Sequence, residues 1–257
     1  MKKIDRTGEV SINSQGYSMK IVRYKNCRDI DVEFENGAIA THVQYITFKK
    51  KTITNPLHPT VCGVGYLGNF EDKAYVTATK ASKSYASWIG MLKRCYAKES
   101  LSKHSSYVGC EVCDEWKCYA NFEKWFKANY YEIPNETMCL DKDILIKGNK
   151  IYSPQTAIFC PQRINTLFIR NWSVRGDMPI GVYKYESNKH QSKPYIAQCN
   201  IKERQINLGY FKTMEEAFNA YKEAKENEIR RVADEFKDRI PQKLYDAMYN
   251  YQVEITD

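Results

Sequence analysis

Two carboxylates lie two residues apart at Asp141 and Asp143, in a segment rich in β-branched and aromatic residues. Side chains at alternate positions of a strand point to the same face, so the two carboxylates can bind one Mg²⁺ ion together. Asn165 follows in the same segment, and His104 is a histidine that could reach it in the fold. In an equally open structural interpretation, Asp143 caps a turn and Asn165 caps a helix end. The segment therefore predicts either metal-dependent chemistry or capping.

The nine cysteines do not form an obvious metal or disulfide pattern. Cys110 and Cys113 have the spacing of a zinc ligand pair, but no second close pair follows them. Cys139 and Cys160 would have to supply the remaining ligands one at a time, whereas structural zinc sites usually have two close pairs. Disulfide frameworks belong to exported proteins and use even numbers of cysteines. We therefore expect buried free thiols and no structural zinc.

The formal charge of +8, from 39 Lys and Arg against 31 Asp and Glu, is unevenly distributed. Basic residues exceed acidic ones by 10 to 6 in residues 1–60, by 16 to 12 in 61–178 and by 6 to 2 in 179–213, but residues 214–257 reverse the sign with 7 against 11. A basic surface attracts polyanions such as nucleic acid, although a mixed solvated surface is the alternative. The placement of the charge favours a nucleic-acid partner on residues 179–213.

Composition excludes several classes of protein. With 43% apolar and 27% charged residues, the chain is an ordinary globular sequence rather than a disordered one. Its apolar runs are shorter than the roughly 18 to 20 residues that span a bilayer. Residues 1–14 are basic but lack the apolar stretch of a signal peptide. We expect a cytoplasmic protein that has no membrane partner.

The N-terminal region predicts a small antiparallel β-barrel within residues 8–56. Asn36-Gly37 is the strongest hairpin signal in this region. The predicted strands are Lys20–Tyr24, Ile30–Phe34 and Val43–Phe48. Residues 61–80 contain several glycines and are expected to be a linker, because no βαβ pattern surrounds them.

After the linker, apolar residues at helical spacing predict two helices, and a second sheet is predicted after them. Residues 82–98 predict a helix capped by Ser82 or Ser84, and residues 115–128 predict a second helix with an aromatic core stripe. Residues 139–168 predict a strand, a Gly-Asn turn, a strand and a short helix. Residues 179–213 predict a three-stranded antiparallel sheet, which is followed by a helix from about Met214 to Phe236, with Thr213 and Glu216 as a capping box.

The C-terminal segment resembles the Apetala/ethylene-response-factor DNA-binding domain, which also occurs in phage and bacterial homing endonucleases. The matching residues are Gly181-Val182, Tyr195, Ala197, Leu208-Gly209-Tyr210-Phe211, Thr213–Ala217 and Ala220-Tyr221. The resemblance implies a sheet that lies in the major groove of double-stranded DNA. The candidate DNA contacts are Tyr183, Tyr185, Tyr195, Gln198, Lys202, Arg204 and Asn207. Family members commonly place Arg where Tyr183 and Tyr185 stand.

The middle segment resembles phage HNH-type nuclease modules. The matching stretches are Met91–Phe126 and Leu140–Phe168. The resemblance implies a β-hairpin and a helix around one metal ion, where a His activates water and an Asp with a second His or Asn holds Mg²⁺.

This sequence departs from that active pattern at two positions. Lys142 stands where the base His would be expected, and Thr156 replaces an Asn that often follows Ser-Pro. A lysine with its usual pKa is protonated at neutral pH and cannot accept a proton. Asp141, Asp143, Asn149 and Asn165 are retained, and the base would have to be a residue such as His104. We therefore expect a degenerate catalytic centre.

Together these patterns predict a modular α+β protein. The predicted modules are a β-barrel-like module at 1–60, a linker at 61–80, an HNH-like ββα unit at 81–175, an Apetala-type domain at 179–236 and a C-terminal helix and tail at 237–257. The expected function is sequence-directed binding of double-stranded DNA in a phage or mobile-element setting, which would place the protein in the host cytoplasm. The alternatives are an active Mg²⁺-dependent endonuclease or nickase, and a non-catalytic phage factor that binds a host protein, with residues 1–60 as a possible protein-binding module.

Overall fold

The computed structural model describes residues 4–68, 82–169, 178–184 and 192–257. It contains helices together with several small sheets, which confirms the predicted α+β class. The chain divides into two compact units, Met1–Tyr130 with Lys150–Gln155 and Tyr131–Asn149 with Thr156–Asp257. Within the described ranges, no helix is both long and apolar enough to cross a membrane.

The first unit begins with an antiparallel meander in the order β1-β2-β3-β4. Its strands are β1 Val10–Ile12, β2 Ser18–Asn26, β3 Asp29–Phe34 and β4 Ile39–Val43. Ile30, Val32 and Phe34 are buried and alternate with polar residues, as a sheet with one covered face requires. Among the described strands, β1 and β4 are not paired with each other, so hydrogen bonding does not close the predicted barrel.

A short helix, α1 (Tyr45–Lys49), follows β4, so the predicted strand from Val43 to Phe48 is wrong beyond Val43. Tyr45 stacks on Phe48 with ring centroids 6.1 Å apart. Phe48 is buried, whereas Ile46 is 52% exposed. The inward-facing residues are three positions apart, the spacing of a helical turn, because packing of Phe48 against the sheet core outweighs a preference for strand.

The rest of the first unit is largely helical and has an aromatic core. Its elements are α2 Lys83–Tyr96, α3 Lys98–Lys103, β5 Glu111–Val112, α4 Asp114–Lys117 and α5 Tyr119–Asn129. Ser82 caps α2 as predicted and accepts a hydrogen bond from the backbone N–H of Tyr85 (3.2 Å). The predicted helix over 115–128 is divided in two at Cys118. Trp88 and Trp116 are fully buried, and Trp88 Nε1 donates to the Trp116 carbonyl (2.7 Å).

A hairpin and a helix form one part of the second unit. The next elements along the chain are β6 Met138–Asp141, β7 Ile151–Tyr152, β8 Ile158–Pro161 and α6 Gln162–Leu167. β6 pairs antiparallel with β8. β7 belongs to the first unit, where it pairs parallel with β5. The strand that directly follows the Gly-Asn turn, β7, therefore does not pair with β6. β6 pairs with the fully buried β8 rather than with β7, because β8 carries Ile158 and Cys160 into the core of the second unit.

The second unit continues with the predicted three-stranded antiparallel sheet and long helix. Its elements are β9 Val182–Lys184, β10 Tyr195–Ile201, β11 Arg204–Phe211, α7 Met214–Phe236 and α8 Gln242–Tyr249. The strand order is β11-β10-β9. Lys202 and Glu203 join β10 to β11 with φ values of 49° and 63°, as a tight hairpin turn needs. Both hydrogen bonds of the predicted capping box between Thr213 and Glu216 are present.

Helix α7 packs against two different hydrophobic cores. Near its start, Ala217 and Tyr221 pack with Val182, Ala197 and Cys199 of the sheet. Further along, its buried apolar residues are Ile229, Val232, Ala233 and Phe236. These residues pack with Ile158, Cys160 and Ile164 of the hairpin and α6, and with Leu244 and Met248 of α8. The sheet and the hairpin are therefore supported by the same helix.

Candidate functional site

Asp141 ends strand β6 and caps the turn that follows it. Its Oδ1 accepts hydrogen bonds from the backbone N–H groups of Asp143 and Ile144, both at 2.8 Å. Asp143 lies in the turn, so the two carboxylates are not alternate residues of one strand. The capping role falls on Asp141 rather than on Asp143, and it already occupies one carboxylate oxygen of the predicted metal pair.

Lys142 lies between the two carboxylates and is only 5% exposed. Its Nζ is 3.2 Å from Asp143 Oδ2. Its backbone carbonyl accepts a hydrogen bond from Asn149 Nδ2 (2.7 Å). The residue that replaces the expected histidine therefore contributes a positive charge to Asp143 and is held in place by Asn149.

The two carboxylates differ in environment. Burial, together with repulsion from Asp143, raises the pKa of Asp141 from its ordinary value of 3.8 to about 6, and the two backbone hydrogen bonds offset this rise only in part. The Asp143 side chain is 43% exposed. Carboxylate oxygens are the ligands that Mg²⁺ prefers, so this pair fits the ion chemically, while Lys142 competes with the ion for Asp143.

Of the remaining predicted catalytic residues, Asn165 belongs to the same unit as the two carboxylates and His104 belongs to the other unit. Asn165 is a half-buried residue of α6, and its backbone carbonyl accepts a hydrogen bond from the Phe168 N–H (3.2 Å). His104 is exposed at the end of α3, edge-on to Tyr107, and belongs to the first unit. Asp141 and Asp143 belong to the second unit. In the described part of that unit there is no histidine.

The predicted DNA contacts divide between the two faces of the β9–β11 sheet. Residues directly opposite each other on paired strands share a face. Tyr195, Ala197 and Cys199 pack on the α7 side, where Tyr195 is partly buried, so Tyr195 does not share a face with the predicted contacts Gln198 and Asn207. Gln198 lies on the other face, which we call the outer face, and is paired with Asn207.

The other candidates lie on the outer face, at its border or outside the described residues. Tyr183 is paired with Ile196 on the outer face and is 42% exposed. Arg204 is paired with Ile201, so its side chain leaves the strand on the α7 side, at the end of the β10–β11 hairpin. Lys202 lies in the turn of that hairpin. Tyr185 lies outside the described residues.

Exposed basic side chains surround this sheet. They are Lys184, Lys193, Lys202, Arg204 and Lys212. None of the five forms an ion pair with a described residue. In the described stretches 178–184 and 192–213, Glu203 is the only acidic residue, and it lies 3.7 Å from Arg163. These five charges are therefore available to an anionic partner.

A cluster in the first unit was missed by the sequence analysis. Asp29, Asp31 and His42 bring ligand-type atoms within 4.8 Å of one another. Arg23 bonds both carboxylates, and His42 Nδ1 is 2.9 Å from Asp29 Oδ1. The hydrogen bond from Arg23 lowers the pKa of Asp29 to about 2. The cluster is therefore an ion-pair network. The two-residue spacing of Asp29 and Asp31, at the start of the predicted strand Ile30–Phe34, could have indicated it.

The four cysteines considered as zinc ligands fall in different units. Cys110 is buried and directs its Sγ towards the Ser106 carbonyl (3.8 Å), and Cys113 is the N-cap residue of α4. Cys139 and Cys160 are opposite each other in the β6–β8 pair of the second unit. Burial raises the pKa of the Cys160 thiol well above its usual value.

Comparison with protein-family models, curated proteins and solved structures gives no match for this chain. The resemblances to the Apetala-type and HNH-type families therefore remain predictions. They depend on the quoted residues and on the elements those residues form, a three-stranded sheet backed by α7 and a hairpin followed by α6.

Proposed function

We propose that this chain binds double-stranded DNA, in a phage or mobile-element setting, with the outer face of β9–β11 in the major groove. The observation that carries the proposal is the border of five exposed basic side chains, free of ion pairs with described residues, around an outer sheet face on which Tyr183, Gln205 and Asn207 are exposed. A two- or three-stranded ribbon fits the width of the major groove. Phosphates on either side of the groove would then face the basic border.

The hairpin of β6 and β8 serves in this proposal as a structural support rather than a cutting centre. Asp141 holds the turn by two backbone hydrogen bonds, and Lys142 neutralises Asp143. Ile158 and Ile164 of the same part pack on α7, which supports the sheet. These contacts give the HNH-like residues a role in folding that requires no chemistry.

Salt-dependent DNA binding tests the proposal. Fluorescence anisotropy of a labelled duplex, titrated with the full chain at several salt concentrations, gives the affinity and its salt slope. Five phosphate contacts correspond to a slope of at most about −4.5 in log K against log salt. Lys202→Ala with Arg204→Ala should reduce the slope to about −2.7 and weaken binding roughly 30-fold at 0.15 M salt.

The matched control is Lys98→Ala with Lys243→Ala, which removes two exposed positive charges from helices. This control should leave the slope nearly unchanged. Equal slopes for the native chain and the Lys202/Arg204 variant would reject the sheet border as the contact surface. Absence of any salt-sensitive binding would reject DNA binding itself.

A second candidate function is Mg²⁺-dependent cleavage of DNA. The observation that favours it is the raised pKa of Asp141 beside a second carboxylate, since a bound cation would relieve that repulsion. Asp141 and Asp143 would hold the ion, which would supply an activated water. Plasmid nicking that requires Mg²⁺ and disappears in both Asp141→Asn and Asp143→Asn would establish it. Intact plasmid in every divalent metal tested, under conditions where DNA is bound, would exclude it.

A further inference from the structure

We infer that the outer face of the sheet reads A·T base pairs through the carboxamides of Gln198, Gln205 and Asn207, an inference that rests on the proposed DNA binding. Gln198 is paired with Asn207 across β10 and β11, and Gln205 is two residues from Asn207 on the same strand. Alternate residues of a strand share a face. The three carboxamides therefore form one continuous patch on adjacent strands.

Hydrogen bonds orient this patch. Gln205 Nε2 donates to Gln198 Oε1 (3.1 Å), which leaves the Gln205 oxygen as an acceptor and the Gln198 amide nitrogen as a donor. Asn207 Oδ1 accepts from the Gly209 N–H (2.9 Å), so the Asn207 side chain presents its amide nitrogen outward. Gln205 and Asn207 are exposed, and Gln198 is half-buried. The patch thus offers neighbouring donors and an acceptor at fixed positions.

This combination matches adenine better than the other bases. In the major groove adenine presents an acceptor at N7 beside a donor at N6, the pair that Asn or Gln can bond with both ends of a carboxamide. Guanine presents two acceptors, which Arg or Lys bonds best, and cytosine presents a donor that suits a carboxylate. The patch itself contains no charged side chain, and the basic residues of the sheet lie at its border.

The outer face also has an apolar part suited to thymine. Ile196 is paired with Tyr183 on one side and Tyr210 on the other, so these three residues form a row across the sheet. Ile196 is buried, so the surfaces of this row that DNA can reach are the rings of the exposed Tyr183 and the half-buried Tyr210. Thymine carries the only methyl group in the major groove, and apolar side chains recognise it by contact. The sheet therefore places carboxamides, which can bond adenine, beside apolar surface, which can contact the thymine methyl group.

Selection from a randomised duplex pool with the full chain tests this inference. The expected outcome is enrichment of A·T pairs at two or more adjacent positions. Each bidentate contact corresponds to a discrimination of about 5- to 150-fold over the other bases. Replacing adenine by 7-deazaadenine at the selected positions removes the N7 acceptor and should abolish that part of the preference.

Three variants connect the preference to the patch. Gln198→Ala and Asn207→Ala should lose most of the A·T preference while keeping the salt slope of the native chain. Asn207→Arg should shift one position towards guanine, with circular dichroism as the check on folding. Tight binding with no base preference, or with a preference for G·C, would overturn the inference and leave DNA binding intact. Failure of the native chain to bind any duplex would overturn both.

Discussion

Replacing Asp141 by Asn should stabilise this protein at neutral and alkaline pH. The folded state raises the pKa of Asp141 above its ordinary value, so the fold binds this proton more tightly than the unfolded chain does. The Asp141 carboxyl group therefore destabilises the fold least at low pH, where it is protonated. The free energy of unfolding falls as the pH rises from about 4 through about 6. Asn keeps an Oδ1 acceptor for the N–H groups of Asp143 and Ile144 but carries no charge at any pH.

The size of the effect follows from the two pKa values. A shift from 3.8 to about 6 corresponds to a loss of at most about 3 kcal/mol once Asp141 is ionised in both states. Asp141→Asn should recover up to that amount above pH 7 and close to nothing below about pH 3. Repulsion from the neighbouring Asp143 contributes to the raised pKa of Asp141. Part of the stability gained in Asp141→Asn should therefore depend on the negative charge of Asp143.

Urea-dependent hydrogen exchange of peptides from β6 and β8 measures this locally at pH 4.5 and pH 8, and carboxyl carbon NMR follows the Asp141 titration directly. Asp238→Asn is the matched control, because it removes the same charge from an exposed position. A gain that is equal at both pH values, or a loss of stability at pH 8, would refute the assignment of a strained buried carboxylate. A gain of about 1 kcal/mol at pH 4.5 that rises to about 3 kcal/mol at pH 8 would support it.

Two further substitutions test the frame that carries the sheet. Thr213→Ala removes the side-chain oxygen that accepts a hydrogen bond from the Glu216 N–H (3.1 Å). It should lower the free energy of unfolding by about 1 kcal/mol, measured by urea unfolding followed by circular dichroism. An unchanged midpoint would show that the capping box contributes nothing. Gly181→Ala should cost well over 1 kcal/mol, because a Cβ at this residue (φ +73°) would overlap the Tyr221 ring. Gly148→Ala is its control, with φ +79° and open space around the added carbon, and equal losses for the two variants would show that the overlap with Tyr221 is relieved.

Features with local sequence signals were predictable. The sheet of β9–β11 follows from short apolar runs separated by turn residues, and α7 follows from good helix formers behind a capping box. Its predicted span, Met214 to Phe236, agrees with the structure, because Thr213 and Glu216 define the start by their side-chain chemistry. Ser82 fixes the start of α2 in the same way.

Features that depend on distant partners were not predictable. β6 pairs with β8 across a segment of sixteen residues (142–157), although a Gly-Asn turn lies closer. The two faces of β10 could not be distinguished, because Ile196 and Ala197 point to opposite sides and are both buried. Tyr195 and Gln198 have opposite parity on that strand, so they could not both have been DNA contacts on one face. The ion pairs of Arg23 with Asp29 and Asp31 depend on the pairing of β2 with β3.

The shared helix α7 connects the β6–β8 hairpin to the β9–β11 sheet. Tyr221 packs on the sheet, and Val232 packs on the hairpin core eleven residues later, a rise of about 16 Å along an α-helix. A chain cut after the sheet would leave Ile158 and Ile164 without the apolar surface of α7, and a chain that began after the hairpin would expose Val232 and Phe236. Burial of such side chains contributes about 1.5 to 3 kcal/mol each, so neither part is expected to fold well alone. Helix α7 therefore holds the hairpin with Asp141 at a set distance from the sheet, as expected of the structural support that we propose for it.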